Sequence, residues 1–481
     1  MKIYLKKNEK KKNELLLFLA NHSKEESHID KIAEKLNTTA FLVKKLVEEL
    51  ISDLNSFNLS EDIILVLEGK IISFYHKGKF PLFILRHNYI INSVPFKLMD
   101  LIAKEKLTSI TEFSDKNYYS LASVYKDLSL LKKELQSYQI KLSSDYHLSG
   151  SEQNIRYYLY QLYFYVYNGL DSQFNQEAEK SVQAAINDIN TFRENKLTRT
   201  QKMQLSFFLK VSLFRIRKKH ALVSETLSTF RLEEEYVFIR NLFRESLKKK
   251  YKLNKEIIEI ELNYFFSFLV SEKIVQLKRL ENYITPSEAE ATEYFLEKFV
   301  EKFKFSKKDS RYKVLKQELI VIHFKIYSLK KRDFTFDNVI SGSFLKEGHY
   351  DAVNFCEELF LENKQNFYRL NHKYLFNQYV FLIINLFEAS FFMEPITICI
   401  DFLLGENYNK QIEKNIRSFN ILHLKIEYSI SEKTDILLTD HVVNPNQISY
   451  DYLIWYEPPN SSDWQNLGNK LIKLKKEKNN K

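Results

Sequence analysis

The apolar positions of SLASVYKDLSLLKKELQSYQIKLSSDYHLSG, residues 120–150, keep two different rhythms. Leu121, Val124, Leu128, Leu131 and Leu135 recur at steps of three and four, the spacing of one face of an amphipathic helix. After Tyr138 the rhythm turns to alternation. Ile140 and Leu142 point one way, Asp145 interrupts, and Tyr146 and Leu148 resume, which predicts a small two-stranded hairpin. Just ahead, LTSITEFSDKNYYS predicts a short helix, a polar turn and Ser120 as the next N-cap. Earlier still, NSVPFKLMDLIAKEK offers Asn92 or Ser93 as a cap, with Pro95 early in a further helix. Helix, helix, turn, helix, hairpin is the order of a winged helix-turn-helix. An ordinary surface helix of a helical domain would show the same periodicity.

The order occurs a second time nearer the start. NELLLFLANH, HIDKIAEKLN and TTAFLVKKLVEELISDLN read as three helices, and ILVLEGKIISFYH as a hairpin with Gly69 at its tip. Ile29, Ile32, Ala33 and Leu36 form the buried face of the middle helix, and Thr38 or Thr39 caps the next. Two such units are harder to read as generic helices than one. In this motif the second helix of the turn lies in the major groove of DNA. Its outward positions in the first unit include Thr38, Thr39, Lys44 and Lys45. In the second they are Ser120, Ala122, Ser123, Lys126 and Lys133. Small side chains let a helix approach base edges, and lysines neutralise phosphates.

From Ser151 to about Phe392 the pattern is helical, with almost no alternation. RYYLYQLYFYVYNGL is so aromatic that it must be mostly buried. A break comes at NYITPSEAEATEYFLEKF, where Thr285, Pro286 and Glu288 make a capping box and start a fresh bundle. QELIVIHFKIYSLKKRDFTF then weakly repeats the character of KVSLFRIRKKHALVSETLSTF. Past Phe392 the character changes: EPITICIDFLLG, ILHLKIEYSI, TDILLTD and YDYLIWYEPPN read as strands. NKQIEKNIRSFN and SDWQNLGNKLIKLKKEKNN read as helices, which together predict a small α/β domain with a mainly parallel sheet.

Composition then removes several function classes. The chain has 481 residues, 44% of them hydrophobic, enough for several cores, but only 8 glycines, which argues against nucleotide-cradling loops. Its 2 cysteines, Cys356 and Cys399, supply neither a disulfide framework nor a zinc cluster. No paired His/Glu metal motif and no nucleophile elbow is present, so neither enzyme activity nor a cofactor is expected. The longest apolar run, Val380 to Phe387, is far below spanning length, so a cytoplasmic protein without membrane contact is expected. A net charge of +10 permits a polyanionic partner, with KKNEKKK expected to act as a basic arm over residues 1–12.

The run SLASVYKDLSLLKKELQSYQIKLSSDYHLSGSEQNIRYYLYQLY resembles the Mga/AtxA group of virulence regulators from Gram-positive bacteria. It shares a small-residue-rich reading helix, a Leu-Lys-rich extension, a wing, and then Gly150, Glu152, Ile155 and Arg156 leading into an aromatic helix. The resemblance implies a mainly α multidomain chain with two winged helix-turn-helix domains at 1–78 and 79–149. Two all-helical phosphotransferase-system regulation domains (PRDs) would follow at 150–278 and 279–392, and an α/β domain similar to a IIB sugar-transporter component (EIIB-like) at 393–481. It implies a homodimer that binds double-stranded promoter DNA. It implies too that phosphocarrier proteins, HPr or IIB-type, transfer phosphate to histidines of the helical bundles.

His220 and His323 are the first candidates and His349 and His372 the runners-up. Arg215, Arg217, Lys218 and Lys219 are placed to neutralise a phosphoryl group on His220. In IIB enzymes a cysteine ending the first strand is phosphorylated. Here Ile400, Asp401, Phe402 and Leu403 follow Cys399 and make a poor cradle, so Cys399 reads as a core thiol. Two alternatives remain: an RNA-binding antiterminator with the same regulation domains, or a helical scaffold or phosphotransferase protein that binds no DNA. The first would begin with a small β-rich module, whereas this N-terminus reads as helical.

Overall fold

The computed structural model describes residues 3–21, 27–78, 80–170, 174–193, 196–223, 230, 233–334, 349–363, 365–392, 394–417, 422–443, 450–456 and 458–479. The chain divides into two compact units, Met1–Leu277 with Ser328–Phe336, and Lys278–Tyr327 with Asp337–Lys481.

The first unit opens with α1 (Lys7–Asn21), β1 (Ser27–His28), α2 (Ile29–Lys35), α3 (Ala40–Ser56), β2 (Ile63–Glu68) and β3 (Ile71–His76). Ile29, Ile32 and Ala33 of α2 are buried, as are Val43, Leu46, Val47, Leu50 and Leu54 of α3. Strands β2 and β3 pair antiparallel with Glu68 opposite Ile71, leaving a two-residue turn. Gly69 enters that turn at φ 63°, where a side chain would be strained. The sequence pattern omits β1, which adds to β3 as a third strand; two residues leave no alternation to read.

Part of the expected basic arm over residues 1–12 packs into the fold. Tyr4 and Leu5 are buried, and Lys7 already begins α1. Lys12 is buried too, pairing with Asp53 and lying 3.7 Å from Glu49. The apolar Tyr4 and Leu5 between the charges decide this, because burying them outweighs solvating the run.

Next come α4 (Phe80–Asn92), α5 (Val94–Ala103), α6 (Ile110–Asn117), α7 (Leu121–Ser137), β4 (Ile140–Leu142) and β5 (Leu148–Gly150). Helix α4 is absent from the sequence reading because FPLFILRHNYIIN is apolar nearly all round and shows no stripe. Ser93, not Asn92, caps α5, accepting the Phe96 N–H at 3.3 Å. Val124, Leu128, Leu131 and Leu135 bury the inner face of α7 against α5, α6 and β4. Leu121 does not join them and is 42% exposed. At the first helical position its side chain leans back over the preceding turn, not over a buried neighbour. In the wing Gly150 sits at φ 136°, and a Cβ there would stand 2.7 Å from the Gln139 carbonyl oxygen, so only glycine fits.

Among the described residues the first unit continues with the α-helices α8 (Glu152–Tyr167), α9 (Glu179–Phe192), α10 (Arg199–Arg217), α11 (Glu234–Tyr251) and α12 (Lys255–Ser271). Helix α8 is buried over most of its circumference, as its aromatic run predicts. Tyr163 stacks on Phe174 with centroids 4.1 Å apart, and Tyr160 sets its edge against Phe208 and Phe268. Phe334, from the 328–336 segment, packs with Tyr138, Tyr158 and Tyr165.

In the second unit α13 (Pro286–Phe303) begins at Thr285 with the expected capping box to Glu288. It packs with α14 (Ser310–Leu329) and the helices at Tyr350–Glu362 and His372–Leu386 around Phe295, Phe299, Phe355 and Tyr379. Between 151 and 392 no strand occurs among the described residues. The C-terminal part holds β6 (Ile396–Asp401), β7 (Leu424–Glu427), β8 (Ile436–Thr439) and β9 (Asp451–Ile454), all parallel in the order β7-β6-β8-β9. Helices Glu406–Ile416 and Ser461–Asn479 contribute Ile412, Ile416, Leu467 and Leu471 to its core. Five consecutive buried residues in β6 are what a central parallel strand requires.

Candidate nucleic-acid interface

Two serines position the reading helix of the second winged unit. Ser109 caps α6 by accepting the Glu112 N–H at 3.0 Å, and Ser120 caps α7 by accepting the Ser123 N–H at 3.3 Å. Between them Tyr118 ends α6 in the left-handed region at φ 56°, with its side chain 97% exposed. Ser120, Ala122, Ser123, Lys126 and Lys133 all face solvent. So do Leu121 and Tyr125, which a search for polar outward positions passes over; placing every residue of 121–137 on the helix would have found Tyr125. Burial pushes the Asp127 carboxyl above the usual range, with Lys6 and Lys126 working against that. Lys141 and Ser149 of the wing are exposed beside the helix.

The first unit offers a different surface. Thr39 caps α3 by accepting the Leu42 N–H at 3.2 Å, while Thr38 is half-buried. Lys44 and Lys45 are exposed, and Lys44 lies 4.0 Å from Glu48. Glu48 and Glu49 on the same helix make its field less positive than that of α7.

Behind the second winged domain, within the same compact unit, lies a chain of charges. Glu105 occupies the turn between α5 and α6 at φ 55°. His220, just past α10, places Nε2 2.6 Å from the Glu105 carboxylate, and Arg215 and Lys218 each approach the same group at 3.5 Å. Arg215 also grips Glu152 with two bonds of 2.8 Å. Arg156, fully buried, donates to Glu261 at 2.6 and 2.9 Å, to Glu152 at 3.1 Å and to the His220 carbonyl at 2.8 Å. Burial works against its charge, and Glu261 and Glu152 more than restore it.

The four candidate histidines sit in unlike settings. His220 is 35% exposed on its side chain, but three of its four expected neutralising cations are already engaged, Arg215 and Lys218 with Glu105 and Arg217 with Glu177, while Lys219 is exposed. His323 is fully buried, with Nδ1 2.8 Å from Thr292 Oγ1 and Nε2 2.7 Å from the Tyr379 hydroxyl. Burial lowers its pKa to about 3. An imidazole with both nitrogens engaged in a core offers no lone pair to a phosphoryl donor, which removes His323 from the candidates. His349 is half-buried, and burial together with Lys475 lowers its pKa. His372 is exposed and packs on Phe360 with centroids 4.7 Å apart.

Cys399 is fully buried, and burial with Asp401 and Glu427 pushes its thiol up to about 11. Where the first strand of the C-terminal sheet ends, the Leu403 N–H donates to the Asp440 carboxylate at 3.0 Å. The Asp440 carboxylate thus occupies this backbone donor. Among the described residues no helix is long and apolar enough to cross a membrane.

A helix-turn-helix with a capped, solvent-facing second helix and an adjoining two-stranded wing defines the winged class of DNA-binding domain. Within that class, residues 80–163 match the family model of the Mga helix-turn-helix domain, consistent with a regulator of the Mga/AtxA family. The matched span starts at α4 and runs past the wing into α8. Comparison with curated proteins found no match.

Proposed function

We propose that the chain is a DNA-binding transcription regulator of the Mga/AtxA type, without catalytic activity of its own, acting as a homodimer on promoter DNA. The observation that carries this reading is the Ser120-capped, solvent-facing α7 within the Mga helix-turn-helix match. In this reading residues 150–278 and 279–392 act as PRD-like bundles, and phosphocarrier proteins deliver phosphate to His220 or the exposed His372. Phosphate adds up to about two negative charges. At His220 it would stand against the Glu105 carboxylate and compete for Arg215 and Lys218, loosening the contact that holds the turn before α6. The C-terminal domain serves as an EIIB-like module that has lost phosphotransfer, given the buried Cys399 and the Asp440 carboxylate at the Leu403 N–H. Leu403, Leu404, Val442 and Tyr456, at least 69% exposed where β6, β8 and β9 end, favour this end as part of the dimer contact.

Purified protein incubated with sheared genomic DNA, followed by footprinting and sequencing, tests the reading. Discrete protected fragments, altered when a phosphocarrier mixture is added, are expected. Protection without sequence preference would sink it. Sedimentation of a chain ending near Phe392 tests the dimer contact, and an undiminished dimer would exclude the C-terminal domain from it.

A further inference from the structure

The exposed face of α7 carries two stripes. Ala122, Lys126, Ser129 and Lys133 follow one another at three- and four-residue steps, and Leu121, Tyr125 and Lys132 form the stripe beside them. At the N-terminal end, where a reading helix meets base edges, the apolar groups on offer beside the exposed Ser120 and Ser123 are Leu121, 42% exposed, Ala122, and Tyr125, 54% exposed. No arginine or asparagine occurs anywhere in α7, and its one glutamine, Gln136, lies in the last turn. The bidentate readers of guanine and adenine are Arg or Lys and Asn or Gln respectively, whereas apolar groups meet the thymine methyl. Lys126 follows Tyr125 directly, and Lys132 and Lys133 lie behind, toward the helix C-terminus, where phosphates supply the complementary charge.

We propose that α7 reads thymine methyl groups in the major groove through Leu121, Ala122 and Tyr125, so that the bases it touches are thymine-rich. The proposal rests on the DNA-binding reading above. Leaving Leu121 and Tyr125 in water costs the free protein apolar solvation, and a row of methyl groups is the major-groove feature that can cover them. The lysines flanking this apolar stripe fit a polyanion and not a second copy of the same basic helix.

The test uses the full chain and a fragment recovered from the footprint, made once with thymine and once with uracil across the protected half-site. Uracil keeps every hydrogen-bonding group and lacks only the methyl. Affinity is expected to fall about fourfold for each buried methyl group taken away, the value of one buried carbon. Leu121→Ala and Tyr125→Ala are expected to shrink the thymine-over-uracil ratio. Equal affinity for the two duplexes overturns the methyl readout and leaves the regulator reading standing. Failure to bind any DNA overturns both. DNA-independent self-association that Leu121→Ala abolishes would assign the stripe to a protein interface instead and overturn the proposal.

Discussion

Nε2 of His220 lies 2.6 Å from Oε1 of Glu105, joining the loop after α10 to the turn that enters the helix-turn-helix. Arg215 and Lys218 reach the same carboxylate at 3.5 Å, so three side chains after or within the end of α10 converge on that turn.

His220→Ala is expected to cost about 1 kcal/mol, the loss of one partly exposed hydrogen bond to a charged group. His220→Asp should cost more, since two carboxylates would then share the same cations. Adding Glu105→Gln should recover much of the difference. Denaturation of the single and double variants measures this coupling, and equal stabilities for the Ala and Asp variants would show that the two sites do not sense each other. If the switch works through this pair, dimer dissociation constants should also differ between His220→Asp and His220→Ala in sedimentation.

Arg156 supports a larger effect. It is fully buried between Glu261 and Glu152, and Glu261 also accepts the Leu222 N–H at 2.9 Å. Arg156→Met leaves the buried Glu261 carboxylate without its cation, while Glu152 keeps Arg215, and is expected to destabilise the chain by about 3–5 kcal/mol. Adding Glu261→Gln removes that orphaned charge while keeping an acceptor for Leu222, so the double variant should be more stable than Arg156→Met alone. A double variant less stable than the single would refute this account.

For DNA, changing Ser123 or Lys126 should weaken specific binding by about 1–3 kcal/mol for each base that the altered side chain no longer reads. Lys44→Ala and Lys45→Ala should reduce the slope of log affinity against log salt if the first unit meets phosphates. Band-shift titrations at several salt concentrations separate the two effects. Wild-type affinity in a Ser123→Glu, Lys126→Glu double variant would remove the second winged domain from the DNA interface.

How far the sequence reached depended on how local each signal was. Val124, Leu128, Leu131 and Leu135 could be read because burial of one helix face imposes a period, and Ile396–Ile400 because a central parallel strand is buried on both faces and, apart from Thr397, apolar. Leu121 misled for the same reason: periodicity does not register where a helix starts. Helix α4 lacked a stripe, and β1 was too short to alternate. The link from Glu105 to His220 joins residues 115 apart, and nothing local at either end announces it. The basic run after Arg215 looked like an anion site because the carboxylates that occupy it come from Glu105, Glu152 and Glu177. His323 reads in sequence much like His220, and only packing shows one sealed and the other at the surface.

That sealed histidine leads to the last prediction. The His323 ring is neutral in the folded chain, held between Thr292 and Tyr379, and its pKa falls from the ordinary 6.5 to about 3. Unfolding exposes the ring and restores the ordinary value, so between these two pH values the unfolded chain binds more protons than the folded one. Stability from this site is therefore fully present above about pH 7 and is lost as pH falls toward 3, by at most about 1.4 kcal/mol per pH unit. His323→Gln cannot titrate and keeps a donor and an acceptor for Thr292 and Tyr379. His87, whose pKa burial also lowers, remains in both proteins and cancels in the comparison. Chemical denaturation of wild type and His323→Gln from pH 8 to pH 5 should give a stability difference that moves steadily in favour of the variant as the solution is acidified. A difference that stays constant over that range would mean that the ring is reached by protons in the folded state.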